Sequence, residues 1–134
     1  MVGFHTELEL PFDKAVSAVT EALKTEGFGV LSDIDIQAAM KEKLGVDMPP
    51  YLILGACNPP LAHKALQAEP DIGLLLPCNV TVRQTGEARV NVGFVDPQTM
   101  VSLTGSEKVR EVADDAGERL RRVRERLASA NARK

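Results

Sequence analysis

The sequence predicts an α+β fold, with a mixed, partly antiparallel β-sheet and helices mainly on one face. Three observations carry this. Short segments of alternating or unbroken apolar residues take turns with apolar stripes at helical spacing. A hairpin turn, Thr85-Gly86-Glu87, joins two of the strand-like segments, so at least one pairing is antiparallel. Strand-helix-strand occurs twice, at 4–34 and 51–83. The expected order is strand, helix, strand, helix, strand, helix, hairpin, helix.

Phe4, Thr6, Leu8 and Leu10 alternate with polar neighbours and predict a first strand, ended by Pro11. Asp13 is the expected N-cap of a helix over 14–26. Phe12, Val16, Val19 and Leu23 make its stripe, and Gly27 stands where a C-cap glycine would. Phe28, Val30 and Leu31 open a second strand, 28–34. Asp33 or Asp35 caps a second helix over 36–44, with Ile36, Ala39, Met40 and Leu44 expected to face inward and Gly45 closing it. Met48-Pro49-Pro50 then forces extended backbone into the nearly all-apolar run 51–56, which suits a central strand covered on both faces. Pro59 or Pro60 fits the first turn of a helix running to Ala68, with Leu61, Ala62, Ala65 and Leu66 as its stripe. Residues 74–84 form the fourth strand, interrupted at Pro77, and Val90, Val92 and Phe94 the fifth.

A short helix follows at 97–103, and Thr104 with Glu107 matches a capping box for the last helix. Val109, Ala113, Ala116, Leu120, Val123 and Leu127 give that helix a seam. The chain divides into a core over 1–104 and a C-terminal helix over 105–134. That helix belongs to the same domain or to a dimer interface, and it is basic at its end.

Apolar and charged fractions of 44% and 26% are those of a soluble globular domain. No run approaches the roughly 18 apolar residues of a membrane span. No signal peptide is evident, and two cysteines do not make a disulfide scaffold, so a cytoplasmic, reduced setting is expected. Charge is uneven. Residues 1–117 carry 9 basic and 17 acidic side chains, whereas 118–134 carry 7 and 2. The acidic body argues against a nucleic-acid footprint over the whole domain. The 4% aromatic content leaves few stacking platforms for single strands. The basic end supplies one reading, a structural or interaction module that uses the arginines of the last helix. A solvated helix face is the simpler account of the same residues.

Chemistry concentrates between Tyr51 and Val82. Cys57 ends a strand and precedes a helix N-terminus, where free amides and the helix dipole favour an anion and lower a thiol pKa. With Asn58 beside it, the turn is a candidate anion or small-molecule site, or a place for a nucleophilic thiolate. A small buried cysteine and an Asn helix cap fit the same residues. Cys78 shares a face with Val80 and Val82, which makes it a core residue first. If the two strands are neighbours, Cys57, Cys78 and Asn79 converge, and the thiols can form a disulfide once their Cα atoms lie within about 7 Å. Cys57, His63 and Cys78 together are soft ligands for a metal ion, or one of them for haem iron, although their spacing is no zinc signature. His63 falls beside the helix stripe, and His5 points outward with no assigned role. There is no P-loop, Gly-x-Ser-x-Gly or His-Glu-x-x-His. Whether the chain is an enzyme is left open.

Several segments together carry a resemblance. They are Gly27-Phe28-Gly29-Val30-Leu31, Asp35-Ile36-Gln37-Ala38, Lys43-Leu44-Gly45-Val46, Ile53-Leu54-Gly55-Ala56-Cys57-Asn58-Pro59-Pro60-Leu61-Ala62 and Leu75-Leu76-Pro77-Cys78-Asn79-Val80. Over about residues 4–97 the chain resembles the bacterial and archaeal family called domain of unknown function 302. The resemblance implies a small α+β domain that forms a homodimer, and it brings no activity. The expectation is therefore a homodimeric binding module, with a metal, haem or anion near the Cys57 turn. A thiol-based redox sensor or enzyme with Cys57 as nucleophile is the alternative.

Overall fold

A computed structural model describes residues 2–132. Its centre is a five-stranded sheet in the order β1-β5-β4-β3-β2, with β1 Gly3–Leu8, β2 Gly29–Asp35, β3 Tyr51–Cys57, β4 Cys78–Gly86 and β5 Arg89–Val95. The α+β class and the hairpin are as expected. All four pairings are antiparallel, including β2 with β3 and β3 with β4, where the sequence suggested a mixed sheet. The helices after β2 and β3 return the chain to an adjacent strand instead of crossing over the sheet, so neither link makes a parallel pair.

Alternation sorts the two faces. Phe4, Leu8, Leu54, Ala56, Val80, Val82, Val90, Val92 and Phe94 are buried under helices. Phe4 and Phe94, cross-strand partners, stack with ring centroids 5.3 Å apart. The covering layer is made by α1 (Phe12–Lys24), α3 (Pro59–Ala68), α4 (Gln98–Thr104) and α5 (Glu107–Ala132). The α5 seam is buried as its spacing predicts, with Val109, Ala113, Leu120 and Val123 fully inaccessible. Burying one such leucine or valine stabilises the fold by roughly 1.5–3 kcal/mol. The opposite face carries His5, Glu7, Tyr51, Ile53, Thr81, Arg83 and Asn91, and among the described residues no helix layer of this kind lies over it.

Several expectations need correction. The helix α2 (Ile36–Leu44) forms, with Asp35 accepting from the Ala38 N–H and Gly45 closing it at φ +67°, yet none of its residues is buried. Ile36, Ala39 and Met40 are only partly covered, and Leu44 is 70% exposed. An apolar stripe needs an opposing surface, and the chain brings little besides β3 against this one. Leu74 and Leu75, expected to begin the fourth strand, instead end a 3₁₀ turn over Pro70–Leu75, and β4 starts only at Cys78. Pro11, not Asp13, stands at the N-cap of α1, and Asp13 sits in its first turn. The last helix is capped by Ser106, whose hydroxyl accepts from the Val109 N–H, while Thr104 ends α4.

Among the described residues, no helix is long and apolar enough to cross a membrane.

Candidate functional site

The end of β3 passes directly into α3. Asn58, 8% exposed, caps the helix: its side-chain oxygen accepts from the Leu61 N–H at 3.3 Å, and its main-chain carbonyl from the Ala62 N–H at 2.9 Å. Pro59 and Pro60 fill the first two helical positions and have no N–H. Every amide of the first turn is therefore absent or already bonded. The donors that an anion at this helix end would need are not there, and Cys57 gains no free amide from it.

The Asn58 amide nitrogen donates to the Glu26 carbonyl at 3.2 Å, and Arg119 of α5 donates to the same oxygen at 3.2 Å. Gly27 makes room for this approach. It sits at φ +81°, and a Cβ there would lie 2.9 Å from the Asn58 nitrogen. Both constraints select glycine. Asn58 is thus a staple between α3 and the α1–β2 turn.

Cys78 lies opposite Ala56 in the β3–β4 register, and Cys57 follows Ala56. Both thiols are free, Cys57 partly exposed and Cys78 buried. Burial, and secondarily the neighbouring Cys57, push the Cys78 thiol up to about 11, so it is neutral at physiological pH. The two cysteines border one cavity of about 280 Å³, walled by Phe28, Leu61, Ala65, Met100, Val112 and Ala116. Its wall is almost wholly apolar. Leu31 and Leu66, exposed leucines, stand at its edge. Leu31 is there because a register shift between Val30 and Ser32 leaves it outside the β2–β3 pairing.

The structure therefore brings together Cys57, Asn58 and Cys78 of the expected residues, and leaves out two. Asn79 is exposed and borders a different groove, on the uncovered face of the sheet. His63 is exposed on α3 and does not line the cavity. Among the described residues, no group of three His, Cys, Asp or Glu side chains is placed to hold a metal ion, so Cys57, His63 and Cys78 do not form the expected ligand set. Local sequence could not show the walls that α4 and α5 contribute. Met100, Val112 and Ala116 read only as apolar residues on helices far along the chain.

Arg119, Arg121, Arg122 and Arg124 of α5 have internal partners. Arg122 donates from two nitrogens to Glu26 Oε1, at 2.9 and 3.1 Å. That hydrogen bond, with the charges of Arg122, Arg119 and Arg126, holds the Glu26 carboxyl below its usual range against a smaller opposing effect of burial. Arg121 and Arg124 lie over the Phe4 ring, 4.7 and 4.9 Å from its centroid, and Arg121 also reaches Asp96 at 3.4 Å. Arg133 and Lys134, the end of the expected basic tail, lie outside the described residues.

A family model described as Domain of unknown function DUF302 matches residues 4–127. No curated protein matches the chain. Among solved structures, the chain is similar to the crystal structure of an uncharacterized conserved protein DUF302 from Bacillus stearothermophilus. The TM-score is 0.86 at 29% identity, covering 95% of this chain and 98% of that one.

Proposed function

The chain belongs to the family Domain of unknown function DUF302, and from that membership and the geometry of its cavity we propose that it is a binding module for a small apolar molecule. One observation carries the reading: the Cys57–Cys78 cavity is almost wholly apolar while the first turn of the helix beside it has no free amide. At about 280 Å³ it lies just below the roughly 300–1,000 Å³ typical of ligand pockets, which suits a small ligand. A ligand there gains by leaving water, at roughly 25 cal/mol per Å² of apolar surface buried. The Cys57 thiol borders the bound molecule, and Cys78 contributes a neutral, polarisable wall. This reading favours an apolar ligand over the anion, metal or haem expected from sequence.

The test is titration with the neutral fluorescent probe N-phenyl-1-naphthylamine. Saturable micromolar binding is expected, weakened at least tenfold by Ala62→Phe, which fills the cavity from a partly exposed wall position. Equal binding by the folded variant and the parent would sink the reading.

We also propose a homodimer. Its support is the segment 31–46, which contains no buried residue although it carries Leu31, Ile34, Ile36, Met40, Leu44 and Val46. Light scattering on eluting protein should give a dimer mass for the parent and a monomer mass for Leu44→Glu. A monomeric parent at tens of micromolar would remove this proposal. Thiol chemistry at Cys57 is the second reading for the site, supported by the partial exposure of that thiol at the cavity. It requires that peroxide or an electrophile modify Cys57 in preference to an unfolded-peptide thiol, and equal rates would exclude it.

A further inference from the structure

The uncovered face of the sheet carries a second, unrelated constellation. Glu7, Asn91, Arg83 and Tyr51 are successive cross-strand partners on β1, β5, β4 and β3, so they form one row across the sheet. His5, Gly93, Thr81 and Ile53 form the next row.

Asn91 is only 8% exposed, and both ends of its amide are engaged: its nitrogen lies 3.4 Å from Glu7 Oε1, and its oxygen is 3.0 Å from His5 Nδ1. Glu7 accepts, so the amide nitrogen must face it and the oxygen must face the imidazole. His5 Nδ1 therefore carries the hydrogen, and in the neutral ring Nε2 is left with a lone pair that Asn91 does not use. A buried amide that only steadied a surface ring would be a costly fixture, because it needs both partners to offset its desolvation.

The ring borders a groove of about 330 Å³ that also takes in Tyr51, Asn79, Thr81 and Arg83. The floor at Gly93 is held open. A Cβ there would lie 2.6 Å from Thr81 Oγ1 and 3.0 Å from the His5 ring. Among the described residues, no carboxylate lines the groove. Arg83 has no ion-pair partner among the described residues, unlike Arg119, Arg121, Arg122 and Arg124 of α5.

We propose that this groove binds a small organic or inorganic anion, a carboxylate or a phosphate. Arg83 supplies the charge and the paired donors that suit either group. Thr81, Asn79 and Tyr51 supply neutral polar contacts, and His5 Nε2 accepts from a protonated oxygen or nitrogen on the ligand. Asn91 and Glu7 are positioning residues that fix the ring and its tautomer. The site lies on the sheet face away from the apolar cavity, and its occupancy does not depend on that cavity.

The chain has two histidines, so His63 on α3 is an internal control. The imidazole nitrogens of both are followed by two-dimensional NMR during titration with inorganic phosphate and, separately, malate, whose hydroxyl can donate to Nε2, each against chloride at matched ionic strength. Before addition, the His5 nitrogen shifts should place the hydrogen on Nδ1. On addition, His5 should shift saturably with at least one of the two anions while His63 stays still, and Arg83→Ala, an exposed strand position, should raise the apparent Kd at least tenfold. Response to one anion alone identifies the class the groove takes. A hydrogen on His5 Nε2 in the free protein would overturn the proposal. So would equal movement of both histidines, a shift that never saturates, or an unchanged Kd in the folded Arg83→Ala protein.

Discussion

Cys57 and Cys78 occupy neighbouring strands and the same cavity wall, yet burial separates their chemistry. Cys78 is neutral well above physiological pH, so at pH 7.5 a neutral maleimide should label Cys57 and leave Cys78 intact, as mass spectrometry of the peptides would show. Linkage gives a second expectation. The unfolded thiol ionises near its ordinary value of 9.0 and the folded one only at about 11. Between these values the folded state holds the proton that the unfolded state loses, so stability falls as pH rises. The loss is up to roughly 2–3 kcal/mol, and Cys78→Ala should flatten it in chemical denaturation. Glu26 acts at the acid end. Its carboxyl is held low chiefly by the Arg122 hydrogen bond, so its contribution is present above the unfolded value of 4.5. That contribution is lost as pH falls through the lower folded value. Glu26→Gln should abolish this part of the acid limb. The change is within about 1 kcal/mol, because Arg122 is more than half exposed.

Among the elements, α3 and α2 differ in what holds them. The cap of α3 is also a tertiary staple. Asn58→Ala removes the acceptor for the Leu61 amide and one of the two donors to the Glu26 carbonyl. A loss of about 1–3 kcal/mol in urea unfolding is expected, larger than an ordinary exposed cap would give. The Asn-Pro-Pro signature at 58–60 was legible as a helix start. The second partner of Asn58 was not, since the α1–β2 turn lies 32 residues earlier. The stripe of α2 was equally legible, but a stripe states only that burial is favourable and not what will cover it. In α2 the chain buries none of it. Leu44→Ser should therefore change the unfolding free energy of the isolated chain by no more than about 0.5 kcal/mol. Leu120→Ala in the α5 seam, fully buried, should cost about 2–5 kcal/mol.

For the molecule as a whole, a single helix layer on an antiparallel sheet produces two chemically distinct places. One lies under the helices at the strand ends and is apolar, because strand alternation sends Ala56 and Cys78 to the covered side. The other lies on the bare side and is polar, because the intervening residues of the same strands are His5, Asn79, Thr81, Arg83 and Asn91. Among the described residues, four arginines of α5 have partners within the molecule, Arg119 and Arg122 on the Glu26 turn and Arg121 and Arg124 on Phe4. Screening exposes this difference. Raising salt to 1 M should weaken a free arginine face far more than these partly buried contacts. Binding to heparin resin should be weak, a result that elution below about 0.2 M salt would confirm.

Sequence alone determined the α+β class, the strand and helix content, the α5 seam and the importance of the Cys57-Asn58-Pro59-Pro60 turn. Those depend on local periodicity, on proline's missing N–H and on spacing that any stretch of chain carries by itself. Only the tertiary structure decided that the turn has no free donors, that Cys57 and Cys78 border one cavity, that His63 stands apart from it, and that His5 is held by Asn91 and Glu7. The hold on His5 turns on which strands become neighbours. Adjacency across 84 to 86 residues is set by packing the whole core rather than by any segment within it.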